Sequence, residues 1–166
     1  MKELILSVFI LAALASCKQP NTEWTTRKIL QDKPVLTAVN LNDTTIIDQG
    51  DAVAFEAVLR DTTGKEVGDI YGWLVAVAFS DSIVEAASNN KFSKVGTTIV
   101  NLDGDEIVVV GKISYNNGEY IIKDNYTQKR AIVGGTGKYR GITGEIHTTR
   151  NSDSTYTHEM FYKIID

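Results

Sequence analysis

The sequence predicts an all-β domain, and three features of its 166 residues support this prediction. Short runs of alternating apolar and polar residues follow one another along most of the chain, as in half-buried strands. Pairs that favour tight turns, such as Asp103-Gly104 and Asn117-Gly118, separate several of these runs. No convincing helical stretch follows Pro34. Many short strands with tight turns and no crossover helices indicate either a β-sandwich or an antiparallel β-barrel.

The composition is that of one globular domain. Hydrophobic residues make up 43% of the chain and charged residues 23%, and the formal net charge is −4. No block of Lys and Arg stands out, and phosphate binding needs clustered cations, so we expect no nucleic-acid partner. One cysteine and two histidines are too few for an ordinary metal site. We therefore expect neither a metal nor another cofactor.

The first 17 residues have the features of an export signal. Lys2 precedes an apolar stretch from Leu4 to Ala13, which is too short to span a membrane as a helix. Leu14-Ala15-Ser16-Cys17 follows it and resembles the bacterial lipobox. That resemblance implies cleavage before Cys17 and acylation of Cys17, which would anchor the protein to a membrane. The alternative is a plain secretory signal with a chance cysteine.

The next segment, residues 18–33, is polar and without a clear pattern, and we expect a flexible tether there. Lys18 and Gln19 follow the cysteine, so the aspartate that retains lipoproteins in the inner membrane of enteric bacteria is absent. We therefore expect a lipid-anchored protein of the bacterial cell envelope, at the outer membrane. The folded domain would cover residues 34–166.

Three strands are predicted in the first half of this domain. Val53–Leu59 alternates most clearly, and Phe55 and Ala57 lie on its apolar face. Asp61-Thr62-Thr63-Gly64 has the composition of a turn. The other two strands of this half are Val35–Leu41 and the long β-branched run Glu66–Phe79.

The second half of the domain completes a set of about eight strands. It begins with Asp81–Lys91, which we interpret as a loop with or without a short helical turn. The two turn pairs Asp103-Gly104 and Asn117-Gly118 predict hairpins after it. The predicted strands are Lys94–Leu102, Glu106–Tyr115, Lys129–Val133, Thr143–Arg150 and Thr155–Ile165.

Two segments resemble the bacterial allene oxide cyclase barrel family. In Gly50–Gly68, a Gly-Asp opens a strand, an Asp-x-x-Gly-Lys turn follows, and a Val-Gly starts the next strand. Ala131–Glu145 (AIVGGTGKYRGITGE) resembles the family's most distinctive stretch, which plant dirigent proteins share. The resemblance runs from about Val35 to Ile165. It implies a closed antiparallel β-barrel of about eight strands around a mostly apolar cavity, and it leads us to expect a homo-oligomer, either a trimer or a dimer.

The glycine-rich stretch from Gly134 to Gly144 is interpreted as a corner of the barrel. Glycine suits turns with positive φ and places where backbones approach closely. A phosphate cradle is the functional alternative, but its patterns fail. Ile132 stands where a P-loop has its first glycine, Tyr139 follows the lysine, and Arg140 occupies the third glycine position of a dinucleotide motif.

The resemblance also implies catalytic positions on the first strand, where plant allene oxide cyclases carry a Glu and an Asn. Val39-Asn40-Leu41-Asn42 is the nearest match, with Asn42 in the place of the Asn and Asn40 in the place of the Glu. An amide has no charge with which to stabilise a developing cation. We therefore expect no cyclisation of an allene oxide.

A cavity is expected inside the barrel. The resemblance places Phe55, Ala57 and Leu74 at its lining positions. Leu74 shares a face with small residues, including Ala76, and small side chains leave space in a barrel.

Alternation of the last strand directs His158, Met160 and Tyr162 inward as well. His158 with Tyr162 could provide acid–base chemistry near neutral pH. The alternative is a hydrogen-bonded, inert histidine at the barrel mouth. The other histidine, His147, is predicted to face outward.

Three functions remain open from the sequence. The first is a binding module that holds a small apolar or aromatic molecule. The second is a cyclase, isomerase or dirigent-like protein that steers a reactive intermediate, which needs a shaped cavity and few polar groups. The third is a structural envelope lipoprotein with a filled barrel, and the small interior residues argue against it.

Overall fold

The computed structural model describes residues 23–39, 50–77, 93–114 and 124–165. Within these ranges the chain forms antiparallel strands in the order β1-β9-β8-β7-β6-β5-β4-β3-β2, and β1 also pairs with β3, which closes the sheet. The predicted all-β fold and closed antiparallel barrel are therefore confirmed. The strands are β1 (Thr25–Gln31), β2 (Val35–Val39), β3 (Ala52–Arg60), β4 (Glu66–Val77), β5 (Ser93–Leu102), β6 (Asp105–Ser114), β7 (Thr127–Gly135), β8 (Ile142–Arg150) and β9 (Tyr156–Ile164).

β1 and β2 lie one after the other beside β3, so together they occupy one strand position in the barrel wall. The nine described strands therefore form an eight-stranded barrel. Gln31 at the end of β1 lies opposite Leu59 of β3. β2 continues along the same neighbour, beginning with Val35 opposite Glu56. β1 pairs with β9 along its whole length, whereas the pairing of β2 among the described strands is with β3 alone. The barrel closes through β1, and β2 extends past the closed part of the wall.

β1 corrects the prediction of a tether over residues 18–33. Residues 25–31 form a strand with a partner on each side, and Ile29 is completely buried. The sequence does not predict this strand because most of its side chains are polar and only Ile29 and Gln31 are buried. A strand of this kind has almost no apolar alternation to detect.

The turns confirm the hairpin prediction at Asp103-Gly104, where both residues have positive φ, at 57° and 88°. The Gly134–Gly144 stretch forms the end of β7, a 3-10 turn at Gly137–Tyr139 and the start of β8, as expected for a corner. The Asn117-Gly118 turn and the 81–91 region lie outside the described residues. Among those described, no helix is long and apolar enough to cross a bilayer.

The two ends of the barrel differ in their interiors. The turn end carries the hairpins β3–β4 and β5–β6 and the 3-10 turn, and one apolar cluster fills it. The mouth end is where β4 and β6 finish and where β5 and β9 begin, and its buried residues include many polar ones. The members of the apolar cluster are Ile29, Leu59, Ile70, Val100, Leu102, Ile107, Val109, Ile132, Tyr139, Ile142, Ile146, Met160 and Tyr162.

Candidate functional site

A cavity of about 50 Å³ lies inside the mouth end of the barrel. Four of its lining residues are polar: Gln31, Arg130, Thr148 and His158. They come from β1, β7, β8 and β9, which are neighbours or near neighbours in the barrel wall. The rest of the lining is largely apolar and consists of Pro34, Leu36, Val53, Phe55, Ile70, Leu74, Ile113 and Tyr156.

The apolar side of the cavity follows from alternation in β3 and β4. Val53 and Phe55 point inward from β3, and Ile70 and Leu74 point inward from β4. Gly72 occupies the inward position between the last two. A Cβ at Gly72 would lie 3.0 Å from the Phe55 ring and 2.4 Å from a backbone oxygen of β5. The missing side chain therefore gives Phe55 room to lie against β4.

A hydrogen-bonded chain of buried side chains forms the polar side. Arg130 Nη1 donates to Thr98 Oγ1 at 2.7 Å, and Arg130 Nη2 donates to Thr148 Oγ1 at 3.5 Å. Thr148 Oγ1 lies 2.9 Å from His158 Nδ1. His158 Nε2 lies 2.8 Å from Gln31 Oε1. Each of these residues is at most 6% exposed, so the chain crosses the interior of the barrel away from water.

The partners of His158 fix its tautomer. The Gln31 amide oxygen only accepts hydrogen bonds, so Nε2 of His158 carries the proton that it donates. Nδ1 then accepts the hydroxyl proton of Thr148. Burial, together with the positive charge of Arg130, lowers the pKa of His158 from 6.5 to about 3. His158 is therefore an uncharged imidazole at neutral pH, with both nitrogens engaged.

The ligand-binding residues expected from the sequence divide between the cavity and the packed core. Phe55 and Leu74 line the cavity, as does His158. Ala57 packs against the apolar cluster, and Ala76 and Met160 are completely buried outside the cavity lining. All of them lie on the inward face as expected, but the cavity occupies only part of that face.

Of the two alternatives for His158, the structure shows the hydrogen-bonded histidine and not a pairing with Tyr162. Tyr162 belongs to the apolar cluster at the turn end, where its ring meets that of Tyr139 edge to face at 6.3 Å. His147 lies on the outer face as predicted, where it contacts Glu145 and Phe161. Asn40, Asn42 and Cys17, which the sequence also singles out, lie outside the described residues.

Most of the polar side of the cavity is not predicted from the sequence. Arg130 follows a Gln and a Lys, and such a run is typical of an exposed strand face. Gln31 fell in the segment assigned to a tether. Lys94 begins a predicted strand, yet it is 2% exposed inside the mouth end, and burial lowers its pKa to about 8. The period-2 register of β5 and β7 is the only sequence signal that directs Lys94 and Arg130 inward.

Wider depressions on the outside of the barrel are less convincing sites. One of about 400 Å³ lies across the outer faces of β2, β3 and β4 and includes Val35, Tyr71 and Trp73. It is open to solvent and lacks the converging buried polar groups that give a site specificity. Within the described ranges, no group of three or more His, Cys, Asp or Glu is arranged to hold a metal ion.

Comparisons with known proteins find similarity at the level of structure. No family model and no curated protein sequence matches the chain. The structure of a pyocyanin demethylase superposes with a TM-score of 0.62 at 18% identity, covering 85% of this chain and 100% of that one.

Two further structures are those of cyclases. A nonspecific heme-binding cyclase that catalyses a cycloaddition during neoabyssomicin biosynthesis has a TM-score of 0.66 at 18% identity, covering 99% of this chain and 77% of its own. The Diels Alderase AbmU from Streptomyces koyangensis has a TM-score of 0.63 at 19% identity, with coverages of 98% and 78%. At these identities the likeness establishes a shared barrel fold.

Proposed function

We propose that this protein binds a small, largely apolar molecule in its mouth-end cavity and steers the cyclisation or isomerisation of that molecule. The observation that carries the proposal is the cavity lining, in which apolar side chains face four converging polar ones. This combination is typical of small-molecule sites. The shared fold supports cyclase chemistry over simple binding, because two of the similar structures are enzymes that form rings.

The size of the cavity limits what it holds. A buried water needs roughly 10–15 Å³ of such space, so about 50 Å³ corresponds to about four waters, or one small ring. The remainder of a larger ligand would extend past Leu36 of β2, which lines the cavity and is 41% exposed. The barrel would thus bury the reacting part of its ligand and leave the rest near the mouth.

The chemistry open to such a site is positioning. Holding a flexible molecule in a folded conformation accelerates ring closure because the entropy of that conformation is lost before the reaction. N–H donors on the polar side, from Arg130, can stabilise negative charge that develops on a carbonyl oxygen. Neutral His158 holds Thr148 in place and is not required to transfer a proton.

Binding is tested by filling the cavity. Ile113 lines it and is 4% exposed, so Ile113→Phe should occupy part of the space and weaken binding of a single-ring probe such as p-cresol at least tenfold. Val133→Phe places the same side chain on the outer face, where Val133 is 54% exposed, and should leave binding unchanged. Isothermal titration calorimetry measures both. If the wild-type protein binds no ring-sized probe, the proposal fails and a structural lipoprotein is the better interpretation.

Catalysis is tested with an achiral linear triene that closes slowly without a catalyst. A stereochemical excess in the ring product that depends on the protein, and that Ile113→Phe removes, would support a cyclase. A racemic product from a probe that binds would leave the barrel as a binding module. The Asn40 substitution still predicts no stereoselective closure of an allene oxide.

We further propose that the protein is a lipoprotein of the bacterial cell envelope, anchored through Cys17 at the outer membrane. The apolar stretch, the small residues and the cysteine follow in the order of a lipobox, and this order supports the proposal. Cys17→Ala should move the protein from the membrane fraction to the soluble one. A variant that still requires detergent for extraction would contradict lipid anchoring.

A further inference from the structure

We infer that Gln31 binds a neutral acceptor oxygen of the ligand, such as a ketone or ester carbonyl, through its side-chain amide N–H groups. The inference rests on the proposed function, since it names the chemical group that the same cavity takes. Gln31 ends β1 at the mouth end of the barrel, lines the cavity and is 5% exposed. A buried amide needs hydrogen-bond partners for both its oxygen and its nitrogen.

The hydrogen-bonded chain that begins at Arg130 determines the orientation of this amide. A guanidinium only donates, so the hydroxyl oxygen of Thr148 accepts from Arg130 Nη2 at 3.5 Å. Among the described residues, the other partner of this hydroxyl is His158 Nδ1 at 2.9 Å, so the single hydroxyl proton lies toward Nδ1. An uncharged histidine that accepts at Nδ1 carries its proton on Nε2. His158 Nε2 therefore donates to the amide oxygen of Gln31, 2.8 Å away.

The amide nitrogen of Gln31 is the end of this chain of hydrogen bonds. Because Oε1 accepts from His158, Nε2 with its two N–H donors occupies the other branch of the amide. Within the part of the chain that the structure describes, no protein group accepts a hydrogen bond from this nitrogen. The side chain belongs to the cavity lining, so the cavity is the space in which these donors can reach an acceptor. A buried donor without a partner costs free energy, and a ligand oxygen would offset that cost.

The chemistry of the cavity favours a carbonyl oxygen over a hydroxyl or a carboxylate. A hydroxyl would bring a proton that needs an acceptor of its own, whereas a carbonyl oxygen only accepts. A carboxylate is more costly to transfer from water into a lining that includes Val53, Leu74 and Ile113. The cavity of about 50 Å³ has room for one small ring. The fitting class is therefore a compact cyclic or branched carbonyl compound, or the carbonyl-bearing end of a longer one.

A matched pair of probes tests the inference. Cyclohexanone and methylenecyclohexane have nearly the same shape, and only the first has an acceptor oxygen. In an NMR titration of the ¹⁵N-labelled protein at pH 8, cyclohexanone should shift a side-chain amide proton of Gln31 downfield, as a new hydrogen bond does. Methylenecyclohexane should not produce this shift.

A variant at the same position removes the donor. Gln31→Glu keeps the shape of the side chain and an acceptor for His158, but it places an oxygen where the N–H groups were. It should lower the affinity for the ketone relative to the alkene by about tenfold. Gln128→Met is the control, because Gln128 is 6% exposed at the mouth end of β7 but lies outside the cavity lining. That variant should leave the ratio of the two affinities unchanged.

The outcomes separate the inference from the proposed function. Cyclohexanone that binds without shifting a Gln31 amide proton would show that another donor, such as Arg130, holds the oxygen. This result would overturn the inference and leave the binding cavity in place, as would a ratio that Gln31→Glu does not change. Binding of neither probe would overturn both. The wild-type titration needs no variant, so it decides the question even if Gln31→Glu fails to fold.

Discussion

His158 is 1% exposed, and its low pKa links its burial to the acid stability of the fold. As the pH falls below 6.5 the unfolded chain takes up a proton at this residue, whereas the folded protein does so only near pH 3. The unfolded state then binds more protons, so stability falls with pH. Between pH 6.5 and 4.5, we expect the free energy of unfolding to fall by roughly 1–2 kcal/mol because of His158.

Urea denaturation at several pH values measures this slope. His158→Gln, which keeps hydrogen-bonding groups but does not titrate, should flatten it. His147→Gln changes the chain's other histidine, on the outer face, and should retain the slope. Carboxyl groups with lowered pKa, such as Glu145 and Asp103, lose their contribution as the pH falls through their ordinary values of 4.5 and 3.8, so they overlap only the lower end of this window. A wild-type slope that survives in His158→Gln would show that another group causes it.

Lys94 predicts the opposite behaviour in alkali. Burial lowers its pKa from 10.5 to about 8, so between these values the unfolded chain keeps a proton that the folded protein has lost. Stability should therefore rise by roughly 1–2 kcal/mol from pH 8 to pH 10. Tyr139 and Tyr156, whose pKa values are raised by burial, act in the other direction only above about pH 10.

The same denaturation series tests Lys94. Lys94→Met should remove the rise, and Lys112→Met, on the exposed face of β6, should keep it. A flat wild-type curve between pH 8 and pH 10 would mean that the Lys94 amine is in contact with water.

At the scale of elements, Gly141 in the glycine-rich corner is subject to two constraints, a positive φ and close packing against neighbouring backbone. Gly64, in the β3–β4 turn, is subject to the first constraint only, so substitutions at the two positions separate their costs. Gly141 has φ of 76°, and a Cβ there would lie 2.1 Å from the backbone oxygen of Ile165. Gly64 has φ of 88°, but nothing lies within 4 Å of its Cβ position. Gly64→Ala should cost about 1 kcal/mol from backbone strain alone. Gly141→Ala should cost about 3 kcal/mol or more, because β8 and β9 must also separate.

Urea denaturation of the two variants measures this difference in the free energy of unfolding. The dependence of that free energy on urea concentration is compared between the variants as well. Equal costs would show that the backbone conformation alone explains the glycine at the corner. A larger cost at Gly141 would show that close packing of the chain's last strand against the corner is what requires it.

β1 gives a second prediction at this scale, since a strand and a tether respond differently to truncation of a side chain. Ile29 is completely buried in the apolar cluster, so Ile29→Ala should destabilise the protein by about 2–4 kcal/mol. Lys28 points outward to an exposed ion pair with Glu159, and Lys28→Ala should change stability by less than about 0.5 kcal/mol. If the two variants were equally stable, β1 would not close the barrel in solution.

The sequence could predict which face of a strand is buried but not what that face meets. Alternation correctly directed Phe55, Leu74, His158 and Met160 inward, yet it carries no information on depth along the barrel axis. Whether an inward residue reaches the cavity or the packed cluster depends on strand register and on which end the turns close. The polar network could not be predicted either, because its members are distant in the sequence: His158 and Gln31 are 127 positions apart.

At the scale of the whole molecule, the main apolar cluster and the residues that line the cavity are concentrated at opposite ends of the barrel. The apolar cluster packs the turn end, where short hairpins connect the strands. The mouth end carries the cavity and the buried polar chain. β2, β4 and β6 end at this end of the barrel, and β3, β5 and β7 begin there. A binding site at the mouth can therefore vary in its connections without loss of the core that maintains the fold.

The direction of the chain also predicts how an anchored barrel would face the membrane. β1 begins at Thr25 at the turn end, because Thr25 pairs with Tyr162 of the apolar cluster. Trp24 precedes it and is 64% exposed beside Lys163. Trp24 lies seven positions after Cys17, a distance of at most about 25 Å along the chain. A lipid on Cys17 would thus hold the turn end near the bilayer and direct the mouth away from it.

The chain's two tryptophans test this orientation. In vesicles containing brominated lipid, the fluorescence of Trp24 should be quenched, because bromine quenches only at short range. Trp73 lies on the outer face of β4, closer to the mouth, and should be quenched much less. Trp73→Phe and Trp24→Phe isolate the two signals, and Cys17→Ala should abolish the quenching of Trp24. Stronger quenching of Trp73 than of Trp24 would mean that the barrel lies on its side or faces the membrane with its mouth, so that a ligand would enter from the lipid instead of from the aqueous side.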